Sequence, residues 1–152
     1  MQHSPPHPKK RLPKIGWYEW VSFSNLPIPP ILAKIDTGAK TSALHAFRID
    51  PFETQGVKKV SFSLHPDPHA NTAVTCTADV LDYRTVTDSG GHTEERYVIK
   101  TPIQLGELIW PIEITLTNRD NMSFRMLLGR SALRHRFLIH PGKKCLMGKT
   151  PT

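Results

Sequence analysis

The residues best suited to chemistry in this chain are Asp36, Thr37 and Gly38, which follow the apolar run 31–35. The run predicts a strand and Thr-Gly predicts a turn, so the strand would deliver a carboxylate to an accessible position. Gly38 allows close backbone approach, and its amide can donate a hydrogen bond to the carboxylate. Such a carboxylate can serve as a general acid or base. The alternative is that Asp36 only stabilises an ordinary turn.

The turn resembles the one on which aspartic peptidases present a catalytic acid. Their chemistry needs two carboxylates that share one proton, because like charges about 3 Å apart cannot both ionise. The chain supplies one Asp-Thr-Gly. Its other candidates differ in context: Asp50 precedes a proline, Asp79 lies in a predicted strand, and Asp88 lies at a predicted hairpin tip. A two-fold dimer would bring Asp36 against its own copy. We therefore expect a homodimer.

Two later segments extend this pattern. An apolar strand, 126–128, leads into Gly129 and Arg130 and then a short predicted helix. Before it, segment 84–101 predicts a hairpin with a glycine-rich tip. This order of aspartyl turn, hairpin and Gly-Arg resembles that of the retroviral-type proteases (retropepsins) over residues 30 to 137.

The retropepsin resemblance implies roles for individual residues. Asp36 would be catalytic, with Thr37 bonded across the dimer and the Gly38 amide near the carboxylates. Substrate contacts would come from the turn and from the hairpin tip, which would act as a flap: Ala39, Lys40, Ser89, Gly90 and Gly91. Gly129 would pack under the turn, and Arg130 would anchor the helix.

Lys40 departs from that pattern, because retroviral proteases carry an acid there that pairs with the Gly-Arg arginine. A lysine cannot form this pair, so either the brace is rebuilt or the dimer contact differs. Beside the Asp36 pair, Lys40 would favour acidic groups on a peptide or protein substrate.

Longer strings, 33–46 and 113–130, are similar to a bacterial family often labelled "ATP-dependent zinc protease" and regarded as retropepsin-like. Some members are encoded beside an ATP-grasp ligase that adds glutamate to a ribosomal protein. The resemblance implies a retropepsin-like fold and a link to glutamate-modified proteins. We retain three hypotheses: an aspartic peptidase, a catalytically inactive module that binds a peptide or partner, and, ranked last, a metalloprotein.

The residues do not support zinc or ATP as a cofactor. There is no His-Glu-x-x-His string to place two ligands on one helix face, and the spacings of His65 with His69 and of His135 with His140 are not diagnostic. No Gly-x-x-x-x-Gly-Lys-Ser/Thr loop is present, since Gly38-Ala39-Lys40-Thr41 lacks the first glycine. We predict no metal and no cofactor.

Composition favours an all-β domain. The 152 residues suit one domain, and 14 prolines and 9 glycines interrupt any long helical pattern. We expect a retropepsin-like closed or nearly closed barrel with one short C-terminal helix at 131–136, capped by Ser131. The other predicted elements are strands at 16–23, 31–36, 60–64, 72–80, 83–87, 94–100, 103–105, 108–110, 112–116 and 137–139.

The net charge of +7 divides unevenly. Residues 1–14 carry four basic residues and no acid, which leaves +3 for residues 15–152. We predict a disordered, basic, proline-rich tail followed by the folded domain. The tail has no interleaved aromatic residue, so a nucleic-acid site is not indicated. No apolar run suggests a membrane span or secretory signal, and two cysteines suggest reduced thiols, so we expect a cytoplasmic protein.

Overall fold

The computed structural model describes residues 11–149, which form twelve strands and one short helix. The elements are β1 Lys14–Ile15, β2 Tyr18–Phe23, β3 Ile31–Asp36, β4 Ser42–His45, β5 Arg48–Thr54, β6 Val57–Leu64, β7 Val74–Asp79, β8 Asp82–Thr87, β9 Thr93–Leu105, β10 Leu108–Thr117, β11 Met126–Gly129, α1 Arg130–Leu133 and β12 Leu138–Ile139. The predicted disordered tail lies mostly outside the described residues, and Lys14 already belongs to β1.

The main sheet has the strand order β10-β4-β11-β3-β2-β9-β8, and a further pairing between β10 and β9 closes six of these strands into a ring. β8 extends from the ring along the first half of β9. The strands β5, β6 and β7 form a separate antiparallel sheet. This architecture confirms the expectation of an all-β fold with a single short helix within residues 11–149.

The core lies inside the ring and under the second sheet. Its largest fully buried side chains are aliphatic, apart from one phenylalanine and one methionine: Phe62, Ile15, Ile31, Leu44, Leu64, Ile99, Ile103, Leu105, Ile114, Leu116, Met126 and Leu128. On β3 the buried residues are Ile31, Ala33 and Ile35, so Asp36 falls on the opposite, outward face of the strand. The alternation of β3 therefore directs the carboxylate of Asp36, at the end of the strand, out of the core.

The two ends of the described chain are tied together. β1 pairs in parallel with β12, and the returning C-terminal segment bonds to Glu19, which is 0% exposed. The Glu19 carboxylate accepts hydrogen bonds from the backbone amides of Gly16, Leu146 and Met147, at 2.7 to 3.0 Å. Because a buried carboxylate is stable only when its oxygens are bonded, these amides make Glu19 a structural clamp.

Several predicted element boundaries were wrong. The predicted helix 131–136 is shorter and begins one residue earlier, at Arg130, with Gly129 at the cap position and no side-chain cap bond. Ser131 is therefore not the cap. Segments 94–100 and 103–105 form one strand, β9, which continues through Pro102. That residue faces Pro111 of β10, and it lies between the part of β9 that pairs with β8 and the part that pairs with β2. A proline there removes no bond to a further strand.

Three strands were missed, β1, β4 and β5, and β1 is only two residues long. β4 has four buried residues and no alternation, so its pattern carries no period of two. β5 is almost entirely exposed and contains Pro51, which an edge strand tolerates because its outer side pairs with nothing.

Both cysteines are free thiols within the described chain. Burial raises the pKa of Cys76 to about 11, which keeps the thiol protonated and unreactive at neutral pH. In residues 11–149 no helix is long and apolar enough to span a membrane.

Candidate active site

The aspartyl turn, residues 36–40, begins at the last residue of β3. The Gly38 amide donates to the Asp36 carboxylate at 3.2 Å, and the Ala39 amide donates to the Asp36 carbonyl at 3.2 Å. Asp36 is half-buried, whereas Thr37, Gly38 and Lys40 are exposed. The turn thus presents one accessible carboxylate that its own backbone holds in place.

Gly129 packs directly beneath this turn. β11 runs parallel to β3, and the register sets Gly129 opposite Asp36. A Cβ at position 129 would lie 2.7 Å from the carbonyl carbon of Thr41 and 2.9 Å from the Lys40 oxygen, both backbone atoms. Only glycine allows the two segments to approach this closely.

Arg130 braces the turn from its other side. Its guanidinium donates to the Gly38 carbonyl at 3.1 Å, and its backbone amide donates to the Ala39 carbonyl at 2.8 Å. The Ser131 amide donates to the Lys40 carbonyl at 3.0 Å. Arg130 therefore bonds backbone oxygens of the turn, where the resemblance implied only that it anchors the helix.

Lys40 makes no ion pair with any residue in the part of the chain that the structure describes, and its side chain is exposed. The acid–arginine brace of the retroviral proteases is replaced here by the bond from Arg130 to Gly38. This leaves the ammonium group of Lys40 available at the edge of the turn.

Ser42, which the sequence analysis missed, links the strands under the turn. Its hydroxyl accepts a hydrogen bond from the Gly129 amide at 3.1 Å, and its carbonyl accepts one from the Thr115 hydroxyl at 3.1 Å. Both side chains are buried. The available signal in the sequence was a serine at the start of the short strand β4. A buried hydroxyl of this kind usually has a hydrogen-bond partner.

The predicted flap is the hairpin of β8 and β9, with its tip at residues 88–92 (the flap hairpin). Asp88 closes the tip: one carboxylate oxygen accepts from the amides of Gly90 and His92, both at 2.9 Å. Gly91 has φ +83°, a left-handed conformation that favours glycine. Ser89, Gly90 and Gly91 are all exposed.

The flap tip is fastened to the loop 118–125 and not to the aspartyl turn. The second oxygen of Asp88 accepts from the Arg119 guanidinium at 3.0 Å. The His92 amide bond, followed by Arg119, holds the pKa of Asp88 below its usual value. Among residues 11–149, no hydrogen bond or ion pair joins Ser89, Gly90 or Gly91 to residues 36–40 of the same chain.

The loop 118–125 is itself held by His45, which is 2% exposed. Its Nδ1 accepts from the Arg119 amide at 3.0 Å, and its backbone amide donates to the Arg125 carbonyl at 2.8 Å. Burial, followed by the charge of Arg125, lowers the pKa of His45, so its ring is neutral at pH 7 with the proton on Nε2. The flap hairpin therefore rests on a loop that a buried, neutral histidine orders.

Thr37 makes no side-chain hydrogen bond to any described residue of its own chain. It lies exposed beside Asp36 at the surface. The bond across a dimer that the resemblance implied for Thr37 therefore stays a prediction.

Comparison with known proteins follows the same lines. Residues 14–150 match a family described as "Retropepsin-like aspartic endopeptidase RimB", or RimB-like. The chain belongs to the RimB-like family. This result confirms the retropepsin-like assignment that the motifs around Asp36 and Gly129 indicated.

Relatives similar to this RimB-like chain are longer proteins. One from Desulfotalea psychrophila is 47% identical over 136 residues, and one from Shewanella pealeana is 44% identical over 136 residues. Both are named "Probable alpha-L-glutamate ligase". The matches cover 89% of this chain but only 29% and 30% of those relatives, so this chain spans less than a third of their length.

A crystal structure from Legionella pneumophila, described as a protein with unknown function, shares the fold. It has a TM-score of 0.72 and 24% sequence identity, and the match covers 89% of this chain and 98% of the other. At this identity the likeness supports the fold alone.

The zinc in the label often given to such proteins has no matching donor set among residues 11–149, where no three His, Cys, Asp or Glu side chains group as a metal site. His65 stacks on Phe47 and its Nδ1 faces the Thr72 carbonyl, while the Nδ1 of His140 accepts from the Gly142 amide. His65 and His140 are therefore engaged in local contacts.

Proposed function

We propose that this chain is an aspartic endopeptidase that works as a two-fold dimer, with the Asp36 carboxylates of two copies forming the catalytic pair. The observation that carries the proposal is the half-buried Asp36 on a turn that Gly38, Gly129 and Arg130 hold rigid. Within residues 11–149, a single chain offers no second carboxylate in an equivalent setting. The pair therefore requires a partner copy.

The chemistry follows from two carboxyl groups that share one proton. The ionised Asp36 takes a proton from water, whose oxygen attacks the peptide carbonyl carbon, while the protonated Asp36 of the other copy gives its proton to the carbonyl oxygen. The tetrahedral intermediate then collapses: the nitrogen takes the proton that the first Asp36 accepted from water, the C–N bond breaks, and one hydroxyl gives its proton back to the second carboxylate. No cofactor is required for these steps.

The substrate that we propose is an acidic peptide or protein segment. Lys40 is exposed at the edge of the turn without an acidic partner, so it would favour a nearby carboxylate by up to about 1 kcal/mol. The relatives named glutamate ligase support a connection to glutamate-containing chains. The flap hairpin would cover this segment of the substrate. To reach it, the hairpin tip would have to break or lengthen the bond between Asp88 and Arg119.

A second candidate is a module that binds acidic peptides without hydrolysing them. This candidate is favoured by the difference in length between this chain and its relatives, which carry most of their residues outside the region that this chain matches. In that case Asp36 would serve only to order the turn.

Cleavage of a library of acidic peptides, read by mass spectrometry, separates these functions. Asp36→Asn should abolish cleavage while the fold is retained, and Asp50→Asn, at an exposed acid of β5, should cleave as the wild type does. A chelator should have no effect. Cleavage by Asp36→Asn at the wild-type rate would eliminate the aspartyl mechanism, and absence of cleavage by the wild type would favour the binding module.

A further inference from the structure

A charged pocket of about 360 Å³ lies next to the aspartyl turn. It begins at Lys40 and is lined further by Arg84, Lys100, Trp110, Glu113 and Arg136. Four of these side chains are basic and one is acidic. The sequence analysis identified only Lys40, because Lys100 and Arg136 lie far from it along the chain.

The one acid of the pocket is already neutralised. Glu113 accepts from Arg84 at 2.9 Å, and Arg84 also bonds Asp82 at 3.0 Å. Lys40 and Lys100 make no ion pair within residues 11–149. The pocket thus keeps cationic groups that have no carboxylate partner among the described residues.

Arg136 is oriented toward the same space by an aromatic ring. Its guanidinium lies 5.6 Å from the ring centroid of Trp110, and the indole nitrogen of Trp110 donates to the Ala132 carbonyl at 3.1 Å. This bond fixes the indole, and stacking on it limits the positions open to the guanidinium. The arginine is therefore partly preorganised to bind an anion.

The strand register gives the distance from Asp36. Asp36 lies opposite Gly129, the Gly129 amide bonds Ser42, and Ser42 lies opposite Ile114, so one level of the sheet runs from β3 across β11 and β4 to β10. Glu113 precedes Ile114 and faces Lys100. A peptide that follows the curved surface of the ring crosses these three strand spacings, about 14 Å, in about four extended residues.

We propose that this pocket is a subsite for carboxylate side chains of a polypeptide, placed about four residues from the bond at the Asp36 pair. The proposal rests on the proposed function for its position in the substrate. Lys40, Lys100 and Arg136 bind the carboxylates, and Arg84 holds Glu113 away from them. In a two-fold dimer the subsite occurs on both sides of the scissile bond.

The test uses full-length Asp36→Asn protein and two fluorescent peptides that differ only in Glu or Gln at the fourth position from the cleavage site. Lys100→Gln should weaken binding of the Glu peptide about fivefold, as expected for one exposed ion pair, and leave the Gln peptide unchanged. Lys58→Gln, an equal charge change at an exposed position near the start of β6, is the matched control and should leave both unchanged.

If Lys100→Gln weakened the binding of both peptides equally, or of neither, the proposed subsite would be overturned. If an RNA oligonucleotide of the same net charge competed as effectively as unlabelled Glu peptide, the assignment of the subsite to polypeptides would be overturned. If binding depends on Lys100 but the wild type hydrolyses neither peptide, the proposed peptidase fails while the pocket stands as an acidic-peptide site.

Discussion

Replacing Gly129 with alanine tests whether the aspartyl turn depends on close backbone packing. The added Cβ would lie 2.7 Å from the Thr41 carbonyl carbon and 2.9 Å from the carbonyl oxygens of Lys40 and Thr41. Backbone atoms cannot rotate away as a side chain can, so β11 and the turn must separate. Overpacking of this kind costs about 1–3 kcal/mol.

For a domain of this size, a cost of about 2 kcal/mol should lower Tm by about 4–8 °C. Thermal unfolding followed by tryptophan fluorescence, at one fixed protein concentration, measures the shift. Gly142→Ala is the matched control, because its Cβ would meet only the exposed side chain of His140, at 3.2 Å. A Gly129→Ala protein as stable as Gly142→Ala would refute the claim that this packing holds the turn.

Three further predictions follow from single residues. Glu19→Gln should lower the free energy of unfolding by about 1–3 kcal/mol in urea titrations, because an amide nitrogen would face backbone donors that the carboxylate now satisfies. Because the pKa of Asp88 is lowered on folding, its contribution to flap order is present above the ordinary aspartate pKa of about 4 and is lost as pH falls below it. The protection factor of the Gly90 amide, which compares its exchange rate with that of an unstructured peptide at the same pH, should therefore fall on acidification in the wild type. Asp88→Asn should show the lowered protection at every pH. Lys40→Ala should reduce the preference for Glu or Asp near the scissile bond in peptide profiling, whereas identical neutral, apolar preferences in both proteins would make Lys40 a structural residue.

The aspartyl turn was predictable because its signals are local. The apolar run before Asp36 forms β3, the Thr-Gly turn follows, and Gly129 reaches the turn as the motif indicated. The strand and the turn depend on a few consecutive residues and on backbone geometry that glycine permits. The approach of Gly129, which is distant along the chain, was implied by the resemblance to the retropepsins and not by a local signal.

The supports of the site could not be read from the sequence, since they join residues distant along the chain. The bond from Gly129 to Ser42, the ion pair of Asp88 with Arg119 and the anchoring of Arg119 by His45 have no periodic signature. Their physical basis is the need of buried or half-buried polar groups for partners, which appears only once the strands are paired.

In the proposed peptidase one catalytic site needs Asp36 from two copies. Mixing active and inactive copies distinguishes this from a site that is complete in each chain. Wild-type and Asp36→Asn proteins are dissociated, mixed in equal amounts, reassociated and assayed for peptide cleavage at the same total concentration as wild type alone. If each site needs both carboxylates, only wild-type pairs are active and about a quarter of the activity remains. If each chain carries a complete site, about half remains, and that result would contradict the shared aspartyl pair.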